Sequence, residues 1–187
     1  MRPSRTTNPW LILALAGGLI YAPAVYYGMS VLPASVLAMT GLALIGIRVL
    51  AVRGDPSMQI WRAAFLIASG AMVGMLFIDP TLAAKAYPVL VSLSVAAVFG
   101  LSLLYPPSMV ERIARRTEPD LPRQGVIYTR RVTGVWTVFL VINAAISAAT
   151  AFWGTLAQWT LWNGLLSYLL MGSLFVGEMI LRRLVRK

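Results

Sequence analysis

Neither cysteine nor histidine occurs among the 187 residues of this chain, and only six residues are acidic. Without cysteine there is no disulfide, no thiolate nucleophile and no thiolate metal site. Without histidine the commonest general base and the imidazole ligand are gone. Six carboxylates scattered over loops and helix edges cannot build a two-metal centre. The familiar enzyme signatures are missing too: no Gly-x-Ser-x-Gly elbow, no His-Glu-x-x-His helix, no Walker lysine loop and no aspartate cluster for metal-assisted lipid transfer. The reading is of a chain that is not an enzyme, with no catalytic residues, no metal and no cofactor.

Charge of either sign is scarce. Charged residues make up 12% of the chain, against roughly 25% in a soluble domain. Hydrophobic residues reach 59% and the mean hydropathy is +0.77, which places the chain in lipid. The net charge of +10 does not imply nucleic acid. A nucleic-acid binder gathers its charge on a soluble face, whereas here it sits in short strips beside apolar runs, where anionic lipid headgroups are the natural partner.

Six apolar runs approach the ~20 residues a helix needs to cross the hydrocarbon. They are Trp10 to Gly28, Val31 to Val52, Ile60 to Ile78, Tyr87 to Leu104, Val132 to Trp153 and Leu156 to Leu181. The basic residues fall beside every second gap. Arg2 and Arg5 precede the first run; Arg48, Arg53 and Arg62 flank the gap after the second. Arg112, Arg115, Arg116, Arg123, Arg130 and Arg131 follow the fourth, and Arg182, Arg183, Arg186 and Lys187 close the chain, which leaves only Lys85 in the other gaps. Lys and Arg mark cytoplasmic loops. The expected fold is therefore all-α: a polytopic transmembrane helical bundle of six spans, one membrane domain over 1–187, with N and C termini cytoplasmic. The external gaps, Met29-Ser30, Asp79 to Ala86 and Gly154-Thr155, make short periplasmic hairpins. Aromatic rings cluster at the expected interfaces, with Tyr26, Tyr27, Trp153, Trp159 and Trp162 outside and Trp10, Trp61, Tyr105 and Trp136 inside. A competing reading of the first run is a leader ending at Ala22-Pro23-Ala24, which has the small-x-small form of a cleavage site. Pro23 and the apolar continuation through Tyr27 weigh against it.

Gly70 and Gly74 form a GxxxG step in the third span, and Ala144, Ala145, Ser147, Ala148 and Ala149 give the fifth a small face. Such faces admit a neighbouring backbone, either within the bundle or, through Gly70 and Gly74, in a homodimer. The cytoplasmic loop from Tyr105 to Arg131 opens with Pro106-Pro107 and a capping box, Ser108 to Glu111, which predicts a short helix. With Met109, Val110 and Ile113 on one side and Arg112, Arg115 and Arg116 toward another, that helix has the pattern of one lying on the membrane surface. Pro119 and Pro122 end it. The strip Arg112, Arg115, Arg116, Arg123, Arg130 and Arg131 is the candidate face for lipid headgroups or for an acidic protein.

Ionisable groups within spans are functional candidates. Here they are Arg48, Arg62 and Glu178, all placed near the cytoplasmic interface, with Asp79 and Lys85 at the outer edge. Glu178 is read either as the ion-pair partner of Arg48, Arg62 or Arg182, or as a headgroup or proton site. Asn143, near mid-span, and Asn163 are explained by interhelical hydrogen bonds, with substrate contact as the sharper alternative. No titratable group is expected at mid-membrane, which weakens coupled transport.

The second half carries Tyr87-Pro88-Val89-Leu90, Tyr105-Pro106-Pro107, Glu111-Arg112-Ile113-Ala114-Arg115, Glu118-Pro119-Asp120-Leu121-Pro122, Tyr128-Thr129-Arg130-Arg131-Val132-Thr133, Trp136, Phe139, Asn143, Phe152-Trp153, Trp159, Trp162-Asn163-Gly164 and Gly177-Glu178. In these it resembles a bacterial inner-membrane protein family found beside aryl polyene and xanthomonadin-type pigment synthesis genes. More distantly it resembles the intracellular septation protein A family, through the Pro-rich loop with its Glu-Arg-Ile helix, the Trp136 to Phe139 region and Phe152-Trp153. The resemblance implies a multi-pass protein of the bacterial inner (plasma) membrane, linked to cell-envelope synthesis and acting through other membrane proteins. The septation family's shorter first segment keeps five spans as an alternative to six. The leading expectation is a non-catalytic accessory or scaffold protein for septation, lipid or aryl polyene pigment biogenesis that works through its basic cytoplasmic face, with acyl carrier protein or envelope-synthesis membrane proteins as partners. The runner-up is a lipid or small-molecule transporter of flippase type, with a groove among the first, third, fifth and sixth spans. An open cavity favours that reading and a closed bundle the scaffold. A lipid-headgroup enzyme, which requires Arg62, Glu178 and Asn143 or Asn163 to converge, comes third.

Overall fold

The computed structural model describes residues 9–53 and 58–185; Arg2, Arg5, Arg186 and Lys187 lie outside the described residues. Among these the chain is helical throughout, with no strand. The elements are α1 (Pro9–Gly28), α2 (Ala34–Ala51), α3 (Gln59–Ile78), α4 (Pro80–Leu104), α5 (Met109–Arg115), α6 (Arg123–Trp153), α7 (Leu156–Leu161), a π-helical turn (Trp162–Leu166) and α8 (Ser167–Val185). Five stretches are long and apolar enough to cross a membrane: α2, α3, α4, α6 and the continuous Leu156–Arg182 segment. The apolar part of α1, Ile12–Gly28, is shorter.

Local chemistry moves several expected boundaries. The outer gap from Asp79 to Ala86 is not a loop. Asp79 accepts the Thr81 and Leu82 N–H groups at 2.8 and 3.1 Å, and Pro80 stands at the first helical position. Cap and proline together start a helix, so α4 begins seven residues before Tyr87 and a single residue separates it from α3. The loop from Tyr105 to Arg131 shrinks in the same way. Pro122 is the N-cap of α6, which then runs 31 residues, about 46 Å at 1.5 Å per residue. That exceeds the ~30 Å hydrocarbon core.

Packing is centred on α4, which lies against α2, α3 and α6. The core gathers mostly in the half toward the Asp79 and Gly154 turns, where Tyr21, Val25, Met72, Tyr87 and Trp159 are buried. Tyr21 ties three helices together: its hydroxyl lies 3.1 Å from the Leu37 carbonyl and 2.8 Å from that of Ala84. Trp159, expected in an interfacial belt, is instead 0% exposed and donates its indole N–H to the Lys85 carbonyl at 3.2 Å. The Lys85 ammonium donates to Ala151 near the end of α6, the pole of a helix that favours a cation. Tyr27, Tyr105 and Trp153 are well exposed, as belt residues are.

The Gly70–Gly74 step does not pack within the bundle: apart from the adjoining backbone of α3 itself, nothing among the described residues lies within 4 Å of a Cβ built at either glycine. The small face of α6 does pack, through Asn143, Ala144, Ser147 and Ala151, while Ala145 is exposed. The last helix is the least embraced, with 6% of its window buried against 28% for α4 and α6.

Candidate functional site: a cavity below the basic end

With α8 loosely held, the bundle keeps a cavity of about 1270 Å³ reached by α1 to α6 and α8. It is larger than the roughly 300–1,000 Å³ of ordinary small-molecule pockets. Its lining changes character along its length. Arg53, Arg112 and Arg116 stand at the basic end, with Trp61 on the first turn of α3 beside them; Phe65, Phe99 and Trp136 follow; and the Arg48 guanidinium, Tyr87, Asn143, Asn163 and Tyr168 reach the deep part.

Arg48 makes the deep part unusual. It lies near the end of α2, from which a lysine or arginine usually extends its charge outward to the interface. Here the guanidinium turns back along its own helix, donating to the Leu44 carbonyl at 3.1 Å and, across to α1, to the Ala14 carbonyl at 2.8 Å. It also lies over the Tyr87 ring, 5.4 Å from the centroid. The residue keeps its place near the end of α2, but its guanidinium is drawn back toward mid-bundle. An arginine at a helix centre costs about 2.5–3.5 kcal/mol on insertion scales. Two hydrogen bonds from a charged donor, about 1.5–3 kcal/mol each, and a cation–π contact of about 0.5–2 kcal/mol offset that cost. No carboxylate among the described residues pairs with it.

Around Arg48 stand groups with hydrogen-bonding capacity left over. The Tyr87 side chain is 3% exposed, and its hydroxyl interacts with the neighbouring Arg48 guanidinium but meets no partner among the described residues at full hydrogen-bond geometry. The Tyr87 and Tyr168 hydroxyls both approach Gly18, 3.5 and 3.6 Å from where a Cβ would sit, with the Arg48 guanidinium 3.0 Å from the same point. Asn143 donates to Ser92 Oγ on α4 at 3.0 Å, an interhelical bond of the expected kind, but its carbonyl oxygen Oδ1, an acceptor, is buried and unpartnered among the described residues. Asn163 is satisfied: its Oδ1 accepts from Ser147 at 2.7 Å and its Nδ2 donates to the Trp159 carbonyl at 2.9 Å. It sits in the π-helical turn, a deviation frequent at functional sites.

The basic strip divides. Arg112 and Arg116 reach the cavity mouth. Arg115 pairs with Glu111 at 2.9 Å and also donates to the Pro119 carbonyl. Arg123, Arg130 and Arg131 are exposed on the first turns of α6. The short helix α5 also differs from its expected posture. It buries Met109, Glu111 and Ala114 against its neighbours and leaves Ile113 51% exposed at the cavity mouth. Neighbouring side chains explain this, because Ser102 and Thr133 accept the Met109 and Val110 N–H groups at 2.8 and 3.2 Å and dock α5 on α4 and α6.

Arg62 and Glu178 are not brought to the cavity. Arg62 is exposed on α3. Glu178 lies 3.4 Å from the Tyr128 hydroxyl, and among the described residues no arginine comes within ion-pair distance of it. The convergence that a headgroup enzyme requires is absent: Asn143 and Asn163 share the cavity with Arg48, and the other two residues stand elsewhere. No group of three acidic side chains gathers among the described residues. Sequence reasoning missed Tyr87, Tyr168 and Ser92. Each is a polar group within an apolar run, a signal that was present but weaker than charge. Comparison of the chain with protein-family models, with curated proteins and with solved structures finds no match.

Proposed function

We propose that the protein is a six-span, non-catalytic component of the bacterial inner membrane. In this reading it receives a lipid-like or pigment-like amphiphile in its cavity during cell-envelope biogenesis, and its termini and basic end face the cytoplasm. The observation that carries the reading is the 1270 Å³ cavity, with its aromatic middle and its arginines at both depths. A closed bundle would have favoured a pure scaffold. The sixth span is supported by the course of α1, which runs beside α2 from Gly28 near Leu37 to Ala14 at Arg48. It therefore covers most of the length of a helix that crosses. Orientation rests on the positive-inside pattern.

A second reading keeps the scaffold. Arg123, Arg130 and Arg131 are exposed on α6 outside the cavity, and complementary charge steers acidic partners such as an acyl carrier protein. The septation and aryl polyene settings are the contexts this reading would serve. The open Gly70–Gly74 face supports a homodimer as the assembled form.

The test is purification from native membranes in mild detergent, followed by mass spectrometry of retained small molecules. A stoichiometric amphiphile, lost when Trp61 and Trp136 are both replaced by alanine, is the expected result. If nothing beyond bulk phospholipid is retained and an acidic carrier is captured in a salt-dependent manner, the scaffold reading replaces it.

A further inference from the structure

Resting on the cavity reading, we infer that the deep end of the cavity is a headgroup subsite, in which Arg48 and Tyr87 hold the anionic head of a single-chain amphiphile while its chain lies along the aromatic middle.

Three observations converge on that chemistry. Arg48 brings a permanent positive charge to mid-bundle with no carboxylate partner among the described residues, and only two of the five guanidinium donors are taken by the Leu44 and Ala14 carbonyls. The Tyr87 hydroxyl, beside the Arg48 guanidinium, is more than nine-tenths buried and meets no partner among the described residues at full hydrogen-bond geometry; Asn143 Oδ1, also buried and unpartnered in the same cavity, is an acceptor and takes no part in holding the charge. Buried polar groups without partners are rare in finished structures, and two of them in one cavity with a guanidinium that has donors to spare mark the place of a polar group from outside the chain. The walls then fix the rest of the ligand. Beyond the polar end, Trp61, Phe65, Val95, Phe99 and Leu140 offer no hydrogen-bonding surface apart from the indole edge, so an inorganic anion or a sugar would leave the middle unfilled. An ionised head on a long apolar chain matches both regions. The head goes in first, which is the reverse of ordinary lipid in a leaflet.

The arrangement also explains why Arg48 does not extend toward the basic end. Arg53, Arg112 and Arg116 already supply charge there, where they would meet an incoming acidic head before it moves inward. Arg48 is the second station.

The test uses the full-length protein in detergent, with cis-parinaric acid as a fluorescent fatty acid excited by transfer from Trp61 and Trp136, displaced by palmitic acid, methyl palmitate, hexadecyl phosphate, acetate or inorganic phosphate. In the wild type the ionised long-chain acid should bind at least about tenfold tighter than its methyl ester, the loss expected when a charged hydrogen bond is removed. Arg48→Gln should abolish that preference while keeping ester binding, which shows that the cavity is intact. Arg48→Lys should retain part of the preference, and Tyr87→Phe should weaken the acid alone. Hexadecyl phosphate competing as well as palmitate would identify the head as any oxyanion, in keeping with the proposal. Equal binding of acid and ester would overturn the subsite while leaving the cavity reading in place. Preference lost in an Arg112→Gln, Arg116→Gln double variant but retained in Arg48→Gln would overturn it by placing the anion at the mouth. Acetate or phosphate displacing the probe as well as palmitate would overturn the amphiphile. Binding of neither acid nor ester would overturn both readings.

Discussion

Gly41 shows how finely the closed half of the bundle is fitted. A methyl group there would come 2.7 Å from the Tyr21 hydroxyl and 2.8 Å from Met72 Cε. The methionine end can move, but Tyr21 can move only by giving up its carbonyl partners on α2 and α4. Gly41→Ala should therefore lower stability by about 1–3 kcal/mol, the ordinary cost of overpacking. Gly74→Ala, with open space around it, should stay within about 0.5 kcal/mol of the wild type. Thermal melts of the two variants in one detergent decide the matter, and equal shifts would show that Tyr21 is not fixed. Sequence marks Gly74 through its GxxxG spacing and says nothing of Gly41, because close approach is a property of two helices and a motif is a property of one. Arg48 was half legible for a similar reason. Its place inside a span could be read, but the direction of its charge depends on the Ala14 carbonyl of another helix. One rule would have helped: helical side chains lean toward the N-terminus of their helix, and for α2 that direction leads away from the basic end.

A seven-residue helix has little stability of its own, so α5 is a test of how neighbours make an element. Its free N–H groups are taken by the Ser102 and Thr133 hydroxyls and by Glu111, which accepts from the Ser108 N–H at 3.4 Å. Glu111 also holds Arg115. Glu111→Ala removes the return bond of the capping box and this ion pair together. It should speed amide hydrogen exchange over residues 109–116, while exchange in α4 and α6 and the melting temperature change little. Unchanged protection over that segment would show that docking on Thr133 and Ser102 suffices. The start of α5 was legible because a capping box is local. Its buried face was not, since the acceptors that set its posture come from residues 7 and 23 positions away. The early start of α4 is the opposite case: Asp79-Pro80 is a local helix-start signal, masked by the polarity of Thr81 and Lys85 that made the segment look like a loop.

For the molecule as a whole, the alternation of basic and non-basic gaps and the packing of α1 bear on the proposed six-span arrangement from independent directions. The charge pattern concerns which side each gap faces. The packing concerns length: α1 is 20 residues, about 30 Å of helix, and its Ala14 turn meets α2 at Arg48, three residues from that helix's end. If α2 crosses, α1 has no room to stop halfway. The absence of cysteine makes the test clean, because a single introduced thiol is the only one to react. Ser30→Cys and Thr81→Cys, at exposed positions beside the α1–α2 and α3–α4 turns, should react with a membrane-impermeant maleimide on intact spheroplasts. Thr117→Cys and Gln124→Cys, exposed at the basic end, should react only after permeabilisation. Trp10→Cys separates six spans from five: with six it shares the protection of residues 117 and 124, whereas labelling from outside would leave α1 uncrossed and the bundle with five. Reversal at all of the other four positions would turn the cavity mouth to the periplasm, and the arginines there would then meet an outgoing ligand instead of one supplied by cytoplasmic synthesis.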